Sequence, residues 1–134
     1  MEDRRILLLC ERGGFAPLHQ AASAAASMIS SGGRADLVLF HAALARLLDG
    51  GVDTVDDDQP EASSYREALG GGRVQPVREV LANARRDGAG LFACSASVAL
   101  LGRETGPVLD VVDEIVGWPT ILRWMESSDQ VLYL

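Results

Sequence analysis

Apolar runs bounded by glycine and acidic residues alternate along this chain with segments whose apolar positions recur every three to four residues. Arg5 to Cys10 carries the first run and stops at Glu11-Arg12-Gly13-Gly14, which predicts a buried parallel strand and a turn. Pro17 to Ser30 is rich in alanine, with Leu18, Met28 and Ile29 among the small residues and Ser31-Gly32-Gly33 after them. That composition predicts a helix with a small-residue face and a glycine stop. Ala35 to Phe40 reads as a second strand, and Ala42 to Leu48 as a short helix ending at Asp49-Gly50-Gly51. Pro76 to Arg86 places Val77, Val80, Leu81 and Ala84 on one stripe and reads as a helix. Gly90 to Cys94 is then a third strand, Ser95 to Leu101 a short helix closed by Gly102, Val111 to Val116 a fourth strand, Thr120 to Ser127 a helix and Gln130 to Leu134 a last strand.

Strands alternating with helices imply right-handed crossovers. The expected fold is α/β: a single three-layer α/β/α domain spanning residues 1–134, with a parallel, doubly wound sheet of about five strands. Asp53 to Gly72 interrupts the pattern with Asp56-Asp57-Asp58, a proline, serines and Gly70-Gly71-Gly72. It reads as a mobile acidic insertion without apolar anchors, holding at most a turn around Tyr65 to Leu69, and its acid run as a solvated face. In parallel sheets ligands sit beyond the carboxyl ends of the strands, where both cysteines fall. A 2-1-3-4-5 strand order would make the strand ending in Cys10 a neighbour of the one ending in Cys94.

Charge narrows the function. The net charge is -7, so the clustered cations that hold nucleic acid or an anionic membrane are missing. All 12 basic residues are arginine, which removes Schiff-base chemistry, pyridoxal phosphate attachment and a phosphate-loop lysine. The opening Met1-Glu2-Asp3-Arg4-Arg5 lacks the positive start of a secretory signal, and Ala21 to Ile29 is too short to span a bilayer. A cytoplasmic location without membrane attachment is the expectation. Cys10, His19, His41 and Cys94 show none of the paired spacings of zinc ligands, and Gly13-Gly14 is not a dinucleotide fingerprint, so neither metal nor cofactor is expected.

The two thiols carry the remaining chemistry. Cys94 stands at a strand-to-helix junction, where unpaired amides and the helix dipole favour thiolate. Ser95 and Ser97 offer hydroxyls to the sulfur or serve as helix caps. Taken alone, a free cysteine is also a small buried hydrophobe. Cys10 is a candidate second, resolving thiol, or simply a buried strand end. His19, near a helix start, and His41, at a strand end, read as bases or as surface and capping residues.

Leu91-Phe92-Ala93-Cys94-Ser95-Ala96-Ser97-Val98-Ala99-Leu100-Leu101-Gly102 resembles the cysteine region of the DsrE/TusD sulfur-relay subunits. Val112 to Leu122 and Asp129 to Leu134 look like the closing strand, glycine turn, helix and terminal strand of the same DsrE/DsrF-like family. The resemblance implies an oligomeric cytoplasmic protein whose catalytic Cys94 accepts sulfane sulfur as a persulfide and passes it from a donor protein to an acceptor. It also implies a homo-oligomer, a trimer or a multiple of three, and Trp118, Ile121, Leu122 and Trp124 supply the apolar surface such an assembly needs. The rival expectation is a non-catalytic module that binds a small ligand or a protein in the same strand-end crevice.

Overall fold

The computed structural model describes residues 2–134. Five parallel strands form one sheet: β1 (Arg5–Cys10), β2 (Arg34–Leu39), β3 (Gly90–Cys94), β4 (Glu114–Val116) and β5 (Gln130–Tyr133). Seven helices connect them: α1 (Phe15–Ser30), α2 (His41–Leu48), α3 (Ala62–Gly70), α4 (Val77–Arg86), α5 (Ser95–Leu100), α6 (Thr105–Leu109) and α7 (Trp118–Glu126). The expected α/β domain with helices on both sides of a five-stranded parallel sheet is what the chain forms.

The strand order is β4-β3-β2-β1-β5, and that order decides how the helices are shared between the faces. From β1 to β4 the chain steps outward in one direction. Right-handed crossovers in one direction all fall on one face, so α1 to α6 line that side. Leu18, Leu44, Ala62, Leu81, Val98 and Val108 accordingly share one apolar cluster with Leu8, Leu37 and Leu91. From β4 the chain returns across the whole sheet to pair β5 with β1, and the reversed direction puts α7 on the other face. There Ile121 packs on Leu7, Leu9 and Val38. One face is thus thickly covered and the other carries a single nine-residue helix.

Residues of α7 and β5 stay in contact with solvent as a result. Trp118 is 41% exposed, Leu122 54% and Tyr133 57%, and Val131 lies open beside them. Ile121 does not belong to this open surface: it is fully buried, because it is the α7 residue aimed at the sheet.

Three further expectations are corrected. The 2-1-3-4-5 order does not occur, since β2 lies between β1 and β3. The acidic segment 53–72 is anchored: Val55 and Ala62 are buried, and Asp53 accepts the N–H of Val77 at 2.6 Å, satisfying an orphan donor of α4. Arg66 donates to the carbonyl of Val55 at 2.7 Å and to Asp57, and Arg46 to Asp56 at 2.8 Å. The segment also contains the nine-residue α3 where only a turn was expected. Finally, the fourth strand is three residues and not six. Val112 turns into the thick layer with Val108, and Asp113 joins β3 from outside, accepting the N–H of Leu91 at 2.8 Å and a bond from Arg85 at 3.0 Å.

Candidate functional site

The carboxyl ends of the strands are knitted by main-chain bonds before any side chain acts. The N–H of Phe40 donates to the carbonyl of Cys10 at 2.9 Å, that of Ala43 to Glu11 at 3.0 Å, and that of Glu11 to Leu134 at 2.8 Å. Gly13 is required by this closeness, because a Cβ there would stand 2.5 Å from the carbonyl oxygen of Ala42.

Strand register separates the two thiols. Cys10 pairs with Leu39, and Leu39 with Ala93. Alternation along a strand puts Ala93 on the Cys10 face and Cys94, one residue on, on the opposite face. Cys10 accordingly packs in the thick layer and Cys94 in the thin one. Both are free. With β2 between their strands and the sheet between their sulfurs, Cys10 is not placed to resolve a disulfide with Cys94. Burial pushes the Cys10 thiol up to about 11, against a lowering by Arg12 and a further rise from Glu11. Its Sγ lies 3.6 Å from the Arg12 carbonyl.

Cys94 closes β3 and is the N-cap residue of α5, with extended backbone (φ -70°, ψ 127°). Its side chain sits among Leu9, Val38, Phe40, Val116 and Ile121 and is 2% exposed. Ser95 is exposed, and its hydroxyl lies over Gly117, where the chain enters α7. Ser97 is fully buried, the one polar side chain of the described residues in that state, and its oxygen accepts the N–H of His41 at 2.9 Å. The Ser97 oxygen is therefore committed to the main chain of the β2–α2 turn.

That turn is strained. His41 adopts a left-handed backbone (φ 43°), which is uncommon outside glycine. Its exposed imidazole stands beside Phe40, ring centroids 6.5 Å apart. Phe40 is the hub of an aromatic rim, 5.5 Å from Trp118 and 6.5 Å from Tyr133. The Tyr133 phenol is held above its ordinary value, first by loss of water and then by the Glu11 carboxylate. Phe92 and Trp124, 4.7 Å apart, extend the rim under α7.

Sequence reasoning placed Cys94 and its serines in this region and named His41 as a strand end. It did not find Phe40 or Tyr133, whose only signal was their position at strand ends. His19 lies elsewhere, on α1 with its ring 5.6 Å from Phe15. Among the described residues no three His, Cys, Asp or Glu side chains gather as a metal cluster, and no helix is long and apolar enough to cross a membrane.

No family model and no curated protein matches this chain. Among solved structures it is similar to a protein of unknown function from Methanobacterium thermoautotrophicum, at a TM-score of 0.56 and 17% identity over 98% of this chain and 100% of that one. At that identity the likeness is one of fold alone.

Proposed function

We propose that this chain is a cytoplasmic sulfur carrier of the DsrE/DsrF-like kind, with Cys94 as the sulfur-bearing residue. The Cys94 sulfur, as thiolate, attacks the outer sulfur of a donor persulfide. A bond forms between Sγ and that sulfur, the donor's S–S bond breaks, and the donor leaves as a thiolate that takes up the proton Cys94 released. An acceptor thiolate then repeats the exchange on the Cys94 persulfide, so no net oxidant or reductant is consumed. The observation supporting Cys94 over Cys10 is its place: it ends a strand on the thinly covered face, beside the Phe40, Trp118 and Tyr133 rim. Cys10 faces the thick layer, and its thiol is held protonated. The open apolar surface of Trp118, Leu122, Val131 and Tyr133 supports a homo-oligomer, for which the family resemblance implies a trimer or a multiple of three, and docking of donor and acceptor proteins.

One observation favours a second reading. At 2% exposure Cys94 is reached only when the rim opens, and a thiol that never becomes accessible leaves a non-catalytic binding module at the same strand ends. Intact mass after incubation with inorganic polysulfide separates the two. The carrier gains one sulfur atom, Cys94→Ser gains none and Cys10→Ser still gains one. Loading that survives in Cys94→Ser, or occurs only after unfolding, overturns the carrier and leaves the module.

A further inference from the structure

We propose that the cleft between the first turns of α1 and the outer helix α3 is a binding site for an uncharged, planar aromatic molecule of one or two fused rings. The cleft lies where α3 packs on the domain incompletely: of its nine residues only Ala62 is buried, and Tyr65 and Leu69 are partly covered. The gap measures about 220 Å³, below the roughly 300 to 1,000 Å³ of pockets that take drug-sized ligands. It therefore admits a single ring system.

Its walls specify the chemistry. Phe15, His19 and Tyr65 line it together. The Phe15 ring lies 5.6 Å from each of the other two, tilted by 30° and 41°. Tilted rings at that spacing offer a third ring both faces and edges, the arrangements aromatic groups prefer. Ala16 and Ala68 leave room between the rings, and the exposed Gln20 carboxamide beside them can both donate and accept hydrogen bonds. No carboxylate or guanidinium lines the cleft, so a cationic ligand would lose water there without gaining a counter-charge, and an anionic one would meet no side chain but the His19 imidazole.

The absence of both groups sets this cleft apart from three others of 190 to 260 Å³. Arg103 and Glu104 line one, Arg78, Arg85 and Asp110 another, and Asp87 the last. The site is also independent of the sulfur chemistry proposed above. Phe15 packs in the thick layer, whereas Cys94 faces the thin one.

The test is a titration of the isotope-labelled full chain with indole, followed by amide NMR shifts. Indole is expected to shift residues 15–20 and 65–74, with a Kd on the order of 1 mM or tighter, as a ligand of this size allows. Benzoate and benzylamine, charged single-ring probes, bind at least about tenfold more weakly, because each must be desolvated where no guanidinium or carboxylate stands opposite its charge. Ala68→Phe, which fills the floor from a partly exposed helix position, lowers indole affinity at least about tenfold. Tyr65→Ala, which removes a wall without adding bulk, weakens it by several-fold and serves should the first variant fail to fold. Indole shifts confined to the Trp118 and Tyr133 face, equal affinity for all three probes, or affinity unchanged in the folded variants would each overturn the assignment.

Discussion

Ile121 is the one fully buried residue of α7, and the helix is held to its face of the sheet chiefly through it. Ile121→Ala removes three carbons from the contact with Leu7, Leu9 and Val38. Transfer alone at about 0.8 kcal/mol per carbon gives roughly 2.4 kcal/mol. Part of the space stays empty, since the sheet beneath is rigid, and the cavity raises the loss to about 3 to 4 kcal/mol. Trp124 and Met125, only partly buried, are what remains to hold the helix. The loss should therefore appear first as local detachment. Both tryptophans, Trp118 and Trp124, lie on α7, so intrinsic fluorescence reports this helix while far-UV circular dichroism reports all seven. In urea the fluorescence transition of Ile121→Ala is expected to precede the dichroism transition and to move down by about 1.5 to 2 M, taking about 2 kcal/mol per M as the slope. Ile121→Val should cost only about 1 kcal/mol and keep the two transitions together. Coincident curves and a loss under about 1 kcal/mol for the alanine variant would refute the reasoning and mean that α7 is held elsewhere.

At pH 8 iodoacetamide should label Cys94 before Cys10 in the native protein, read by peptide mass spectrometry, because Cys10 is buried in the thick layer and held up to about 11. That thiol's folded pKa lies above its ordinary 9.0, so its contribution to stability is complete below about pH 9 and is lost as pH rises toward 11. Urea midpoints should thus fall more steeply across that range in the wild type than in Cys10→Ala. Asp113→Ala removes the acceptor of Leu91 N–H and Arg85 and should cost about 1 to 3 kcal/mol in denaturant, with amide exchange quickening at Leu91. Ser97→Ala leaves the His41 N–H without its acceptor and should also cost about 1 to 3 kcal/mol. His41→Gly relieves the left-handed backbone and should cost under about 0.5 kcal/mol, where glycine inside an ordinary helix costs about 1.

How far the sequence disclosed this molecule depended on whether local pattern or long-range pairing decided each feature. Strands β1, β2 and β3 were legible because each is dominated by a short apolar run, interrupted in β2 only by Asp36, bounded by turn residues. Helix α3 was not, since its short stripe of Ala62, Tyr65 and Leu69 is diluted by Ser63, Ser64, Arg66 and Glu67 and only Ala62 is fully buried. Val111 and Val112 look like strand residues, yet Val112 is drawn into the thick layer beside Val108. The position of Cys94 at the end of β3 could be read locally. Its separation from Cys10 could not, because that rests on which strand lies between theirs, and no residue of either strand encodes it. The same holds for the rim, where Phe40 follows β2 and Tyr133 ends β5, segments that meet only in the finished sheet.

The return of the chain to pair β5 with β1 also has a consequence during synthesis. Arg5 and Asp129 are 124 residues apart and hydrogen-bonded at 2.8 Å. At about 5 to 20 residues per second, a ribosome needs on the order of 10 s between making one and the other. In that interval β1 to β4 can already assemble under α1 to α6, while the far edge of β1 and the apolar side chains of Leu7 and Leu9 stand open to solvent. The nascent protein is then a nearly complete sheet with one adhesive margin, and a slow codon just before α7 would lengthen the time in which a chaperone, or another nascent chain, takes the place meant for β5.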